Sequence, residues 1–215
     1  MSSEPNPARL ERAALCDLLV EVGPDAPTLC GDWTTRDLAA HLVMRERRPD
    51  GALGIVVSKA AGHAEKVQAQ IAATPWTELV DKVRSGPPRW SPTRIGAVDK
   101  LANTAEFYVH HEDVRRAADG WSPRRLDSVV QDALANLLTG RIASRLVHGS
   151  PVGIVLEPTE DLEAIVVKDA EPSVTVSGPV SELVMFVFGR QGHAQVEARG
   201  DDDSVAAVMA AAFGV

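Results

Sequence analysis

The residues with the most chemical promise fall in one stretch, Glu106-Phe107-Tyr108-Val109-His110-His111-Glu112-Asp113-Val114-Arg115-Arg116. In a helix, Glu106 and His110 stand one turn apart on the same face. Ala102 and Val109 lie within roughly 60° of Glu106 at ~100° per residue, so a carboxylate and an imidazole are turned toward an apolar seam. Burying both costs several kcal/mol unless something compensates, and a divalent metal does so directly. Two histidines and a carboxylate hold zinc, nickel, iron(II) or similar ions. His41 is the third ligand in this reading. Three protein ligands leave a coordination position open, as in catalytic sites. The bare E-x3-H pattern also occurs by chance in helices, and its competing reading is an exposed Glu106 ion pair beside hydrogen-bonded core histidines.

The neighbours divide by geometry. His111 is ~140° from Glu106 around a helix and points elsewhere. Asp113 follows His110 by three residues and is placed either to orient that imidazole or to pair with Arg115 or Arg116 at the surface. Trp33 reads as packing ahead of a helix, with the pocket mouth as its other role. His63, His148 and His193 have no partners at helical spacing; His63 reads as a solvent-facing histidine and the other two as structural. Cys16 and Cys30, the only cysteines, form no CxxC pair and read as plain thiols.

These residues need helices to position them. Residues 7–22 read as an amphipathic helix with Leu15, Leu18, Leu19 and Val22 on one face, ended by Gly23-Pro24. Thr34 with Asp37 resembles a capping box and opens a helix on which Leu38, His41, Leu42 and Arg45 share a face; Pro49-Asp50-Gly51 stops it. Arg45, Arg47 and Arg48 read as a solvated helix end, with a local basic patch as the other reading. Residues 52–73 are Ala-rich and helical, and Thr74-Pro75 starts a short helix that ends by Ser85-Gly86. The loop Arg89-Trp90-Ser91-Pro92 leads into a long helix of about 96–118, and another spans about 125–147. Short links between helices favour a bundle over residues 1–148. From 149 to 215 the texture becomes β-type, with runs at Val152–Leu156, Ala164–Lys168, Val174–Ser177 and Ala194–Arg199 and helices after Gly178-Pro179 and at Asp201-Asp202-Asp203. The expected class is α+β, a helical domain followed by a small α+β module.

The segment Thr28-Leu29-Cys30-Gly31-Asp32-Trp33-Thr34-Thr35-Arg36-Asp37-Leu38-Ala39-Ala40-His41-Leu42, followed by Glu106-x3-His110, resembles the signature of the mycothiol-dependent maleylpyruvate isomerase family, within the DinB-like metalloprotein superfamily. Val176-Ser177-Gly178-Pro179 through Phe188-Gly189-Arg190 is similar to that family's C-terminal module. The resemblance implies a DinB-like four-helix bundle, a sterol-carrier-like α/β module, and a metal held by His41, Glu106 and His110. Zinc is the first expectation for that ligand set, with nickel or iron as alternatives, and the resemblance implies mycothiol as the thiol cosubstrate. A thiol held as thiolate then adds to a small electrophile, in isomerisation or S-transfer. It also implies an arginine holding an acidic substrate, matched here by Arg190, which otherwise satisfies helix C-terminal carbonyls. The competing functions are a non-catalytic metal- or ligand-binding protein and, ranked below it, a water-using metal hydrolase, for which no general base stands beside the site.

Composition narrows the partners. The 215 residues are 45% hydrophobic and carry a formal net charge of -8, which argues against nucleic acid or an anionic membrane as the main partner. No apolar run approaches the ~20 residues of a membrane span, and the N-terminal residues lack a secretion signal. The expected setting is cytoplasmic, as a monomer or homodimer acting on a small thiol and a small electrophile.

Overall fold

The computed structural model describes residues 5–48, 61–88 and 97–214. The Pro49-Asp50-Gly51 stop, the helical reading of 52–60 and the Arg89-Trp90-Ser91-Pro92 loop lie outside the described residues. The chain forms two compact units, Met1–Ser122 and Pro123–Val215.

The first unit is helical. α1 spans Pro7–Val22. Asn6 caps it by accepting from the Ala8 N–H at 3.0 Å, proline occupies the first turn where no donor is needed, and Gly23 closes it at φ 80°. α2 spans Thr35–Arg47. The Asp37 carboxylate accepts from the Thr34 N–H at 3.0 Å while the Thr34 side chain accepts from the Asp37 N–H, the expected box, and the Thr34 hydroxyl also donates to the Asp37 carboxylate at 2.7 Å. α3 is Ala61–Ala72 and α4 is Trp76–Ser85. Pro75 itself is the N-cap of α4, so threonine does not cap that helix as expected. α5 is Ala97–Arg115.

One core joins Leu15, Cys16 and Leu19 of α1 to Leu38, Ala39, Leu42 and Val43 of α2, Leu79, Val80 and Val83 of α4, and Phe107 and Val114 of α5. Val22, expected on this face, is 39% exposed at the helix end. Arg12 crosses the core edge, donating to Glu46 and, at 2.7 Å, to the Val83 carbonyl, with its guanidinium 4.1 Å over the Phe107 ring. α5 does not have the single apolar seam its sequence suggested. From Thr104 to Arg116 every residue is buried except Glu106 and Arg115, which are partly so. A helix enclosed on all sides must find partners for each polar group it carries.

The second unit begins with α6, Ser128–Leu138, and α7, Arg141–Leu146. The single helix expected over 125–147 is thus broken at Thr139-Gly140, where glycine disfavours continuation. α6 packs against α8, Val180–Val187, and its face of Val130, Leu134, Leu137 and Leu138 is buried. That packing places it in the second unit, which begins at Pro123.

The sheet has the order β2-β1-β3-β4, from Ile165–Lys168, Gly153–Pro158, Ser173–Gly178 and Glu197–Arg199. β1 and β3 are parallel, pairing Ile154 with Val174 and Leu156 with Val176, all buried; the outer strands run antiparallel to them. Only three residues of the run Ala194–Arg199 join β4, because a 3-10 turn at Gln191–His193 precedes it. α9, Asp202–Ala210, starts at Asp201, whose carboxylate accepts from the Ser204 N–H. Helices and sheet together make the α+β class expected. Among the described residues no helix is long and apolar enough to cross a membrane.

Candidate metal centre

α2 and α5 bring the three sequence-predicted ligands together. Leu38 and Leu42 are buried on α2, which fixes the face carrying His41. Its Nε2 lies 3.4 Å from Glu106 Oε1. His110 Nε2 reaches the same oxygen at 3.4 Å, and the two imidazole centroids are 5.5 Å apart. One donor atom from each residue lies within 4.8 Å of the others. The donor set fits a divalent cation: bonds of ~2.0 Å in a tetrahedron place neighbouring ligand atoms about 3.3 Å apart, close to both nitrogen–oxygen separations. The His41, His110 and Glu106 side chains keep 12%, 11% and 21% of their surface exposed.

Asp113 takes the orienting role. Fully buried, it holds His110 Nδ1 at 2.9 Å, which directs Nε2 toward Glu106. A carboxylate behind a ligating histidine fixes its tautomer and ring orientation. The surface pairing considered for Asp113 is not what Arg115 and Arg116 do: both bond Glu112, at 3.1 Å and 2.7 Å, and Arg116 also stacks on Trp121. His111 points away from the centre as expected, its Nδ1 3.5 Å from Glu11 of α1.

Electrostatics match the geometry. Burial alone would raise the Glu106 pKa, but hydrogen bonds from His110 and His41, with the charges of His110 and Arg45, hold it well below the usual range. Burial likewise opposes charge on His110. Hydrogen bonds to Asp113, Cys30 and Glu106, with the Glu106 charge, outweigh it and hold the imidazole well above its ordinary value. Without a cation the centre is an ion cluster, with protons filling the place of positive charge.

Some contributors were not recognised in the sequence. Arg45 is no solvated end residue: its Nε lies 3.5 Å from Glu106 Oε1 and its Nη1 donates to Asn103 at 2.7 Å. Its position one turn after His41 on α2 was the available signal. Arg47 likewise is tied down, donating to the carbonyls of Lys82 and Gly86 and to Ser85 Oγ. Trp33 sits with its ring centroid 5.2 Å from that of His41. Cys30 is the larger omission. Its thiol donates to Asp113 Oδ2 at 3.1 Å and lies 3.8 Å from His110 Nδ1. No spacing rule connects a loop thiol to a helix so distant in the chain. Cys16 is the plain thiol expected, fully buried, with burial pushing its pKa up to about 11. His63, His148 and His193 are exposed.

Arg190 lies in the second unit, after α8. Its Nη1 donates to the Phe188 carbonyl at 2.6 Å, the helix-terminal role weighed above.

No family model matches the chain, and no curated protein matches it. Among solved structures, the crystal structure of the mycothiol-dependent maleylpyruvate isomerase is similar over 89% of this chain and 90% of that one, at a TM-score of 0.58 and 16% identity. A mutant of the same enzyme gives a TM-score of 0.59 with the same identity and coverage. At this identity the likeness is one of fold.

Proposed function

We propose that the chain is a divalent-metal protein of the mycothiol-dependent isomerase type, in which His41, Glu106 and His110 hold the cation and a small thiol adds to a small electrophile. The observation that carries this reading is Glu106 Oε1 standing 3.4 Å from the Nε2 atoms of two histidines on different helices. The fold likeness supports it by analogy, since fold alone does not assign chemistry. On the same analogy the helical unit corresponds to a DinB-like bundle and the second unit contains a sterol-carrier-like module, with the protein acting in the cytoplasm.

Bound at the centre, a zinc ion, or nickel or iron in its place, supplies a Lewis acid that lowers the pKa of a thiol from its usual ~8.5. The protein does the rest. Asp113 keeps the proton on His110 Nδ1, leaving the Nε2 lone pair for ligation. Arg45 holds the Glu106 carboxylate through its Nε, restricting the oxygen shared between the histidines. Trp33 covers one side of His41 and limits water on that flank. Arg190 is assigned to a substrate carboxylate, which its planar guanidinium can grip with two parallel hydrogen bonds.

Turnover of electrophiles such as maleylpyruvate is measured with a panel of thiols, mycothiol included, on metal-loaded, chelated and His41→Ala protein. Thiol-dependent turnover that needs both the metal and His41 is expected. Arg190→Lys then raises KM for an acidic electrophile more than for a neutral one. Tight metal binding with no turnover for any thiol rejects the catalytic part and leaves a metal-binding protein; turnover without thiol points to hydrolysis.

A further inference from the structure

His110 shows a different donor set on each side of its ring. Its Nε2 faces Glu106 and, beyond it, His41, whereas its Nδ1 faces Asp113 at 2.9 Å and Cys30 Sγ at 3.8 Å. Cys30 Sγ is in turn 3.1 Å from Asp113 Oδ2. These three atoms form a second group able to hold a metal ion, separate from His41 and Glu106. We propose that Cys30, Asp113 and His110 Nδ1 form a second cation site for a soft, thiophilic ion, zinc or cadmium in class, that shares His110 with the first.

The separations suit one ion. Zinc bonds sulfur at about 2.3 Å and nitrogen or oxygen at about 2.0–2.2 Å, so neighbouring donors in a tetrahedral site lie roughly 3.3–3.6 Å apart, within about half an ångström of the 2.9, 3.1 and 3.8 Å separations here. Two hydrogens now join these atoms, one on sulfur and one on nitrogen, both aimed at the same carboxylate oxygen. A single cation between the three donors replaces both. The set of thiolate, imidazole and carboxylate is softer than the imidazole–carboxylate set across the ring, which sorts metals between the two sides.

The loop holding the thiol is built to keep it there. The Leu29 N–H donates to the Asp113 carbonyl at 3.1 Å, which pins the loop onto α5 directly beside Cys30. Thr28 Oγ accepts from the Cys30 N–H at 3.1 Å and donates to the Trp33 carbonyl at 2.8 Å, and an isolated bridge between Pro27 and Thr34 closes the base. Asp113 is fully buried and His110 nearly so, while Cys30 is partly exposed. An ion therefore arrives from the thiol side and meets donors already in position. A neutral imidazole offers one lone pair, so an ion on Nδ1 excludes ligation through Nε2. This exclusion rests on the function proposed above; the second site itself does not.

Cadmium is titrated into the His41→Ala and Glu106→Gln variants, each lacking a donor of the first site, and thiolate-to-cadmium charge transfer is followed in the ultraviolet. A band saturating at one equivalent is expected in both, and adding Cys30→Ser abolishes it. Cys16 does not substitute, because it is buried in the core. Absence of the band from both variants, or its survival after Cys30→Ser, overturns the second site. Failure of zinc to bind the otherwise native chain through His41 and Glu106, with the cadmium band intact, overturns the first site alone.

Discussion

Metal binding at this centre competes with a proton, and the structure says which one. Glu106 is held well below its usual range and carries no proton near neutrality. His110 is held well above its own, which favours its imidazolium form in the metal-free protein. Its Nδ1 proton is engaged by Asp113, so the proton given up is the one on Nε2. One displaced proton gives a tenfold change in affinity per pH unit, about 1.4 kcal/mol, until the raised His110 value is passed. Zinc affinity should therefore fall roughly tenfold from about pH 7 to about pH 6. Calorimetric titration in buffers of different ionisation enthalpy should find about one proton released per zinc.

Metal-free stability runs the other way. A group whose pKa is raised on folding contributes stability that is complete below its unfolded value, about 6.5 for histidine, and is lost as pH rises through the folded value. The metal-free protein should therefore melt lower at about pH 8.5 than at about pH 6, with zinc reversing that order. Zinc affinity that is flat with pH, with no proton released, refutes the assignment of His110 as a ligand through Nε2.

Three further outcomes follow from packing and ligation. His41→Ala should weaken zinc binding by more than the ~100-fold upper range for loss of a supporting outer residue, while the metal-free melting temperature moves only a few degrees, measured by chelator competition and calorimetry. Glu46→Ala removes the carboxylate that neutralises Arg12, leaving it the Val83 carbonyl and the Phe107 ring, where Glu46 is 2% exposed and Arg12 11% exposed; breaking this near-buried pair should cost up to about 3–5 kcal/mol in urea unfolding. Gly153→Ala puts a methyl group onto the Ala170 carbonyl oxygen in the second unit, and overpacking against backbone should cost about 1–3 kcal/mol or more by the same measurement.

The helices were legible where local chemistry decides them. The Thr34–Asp37 box and the proline and glycine at the ends of α1 set boundaries through hydrogen bonds a few residues long. Glu106 and His110 were legible as a pair because helix pitch alone brings them together. Their approach to His41 is tertiary, and only resemblance to a known signature linked the two helices beforehand. The break at Thr139-Gly140 was missed because a run of good helix formers on both sides masked one glycine. What covers the apolar face of α6 is its packing on α8, a tertiary contact with no local signal in the sequence. Cys30, in a loop held by Thr28 and the Asp113 carbonyl, had no periodic signal at all.

The most direct test is anomalous scattering at the zinc edge from crystals of protein prepared without a histidine tag and soaked in zinc. Ligation by these three residues predicts a peak about 2.0–2.2 Å from Nε2 of His41, Nε2 of His110 and a carboxylate oxygen of Glu106. That peak should vanish in His41→Ala/Glu106→Gln crystals. No peak among these three side chains, or an unchanged peak in the double variant, contradicts it.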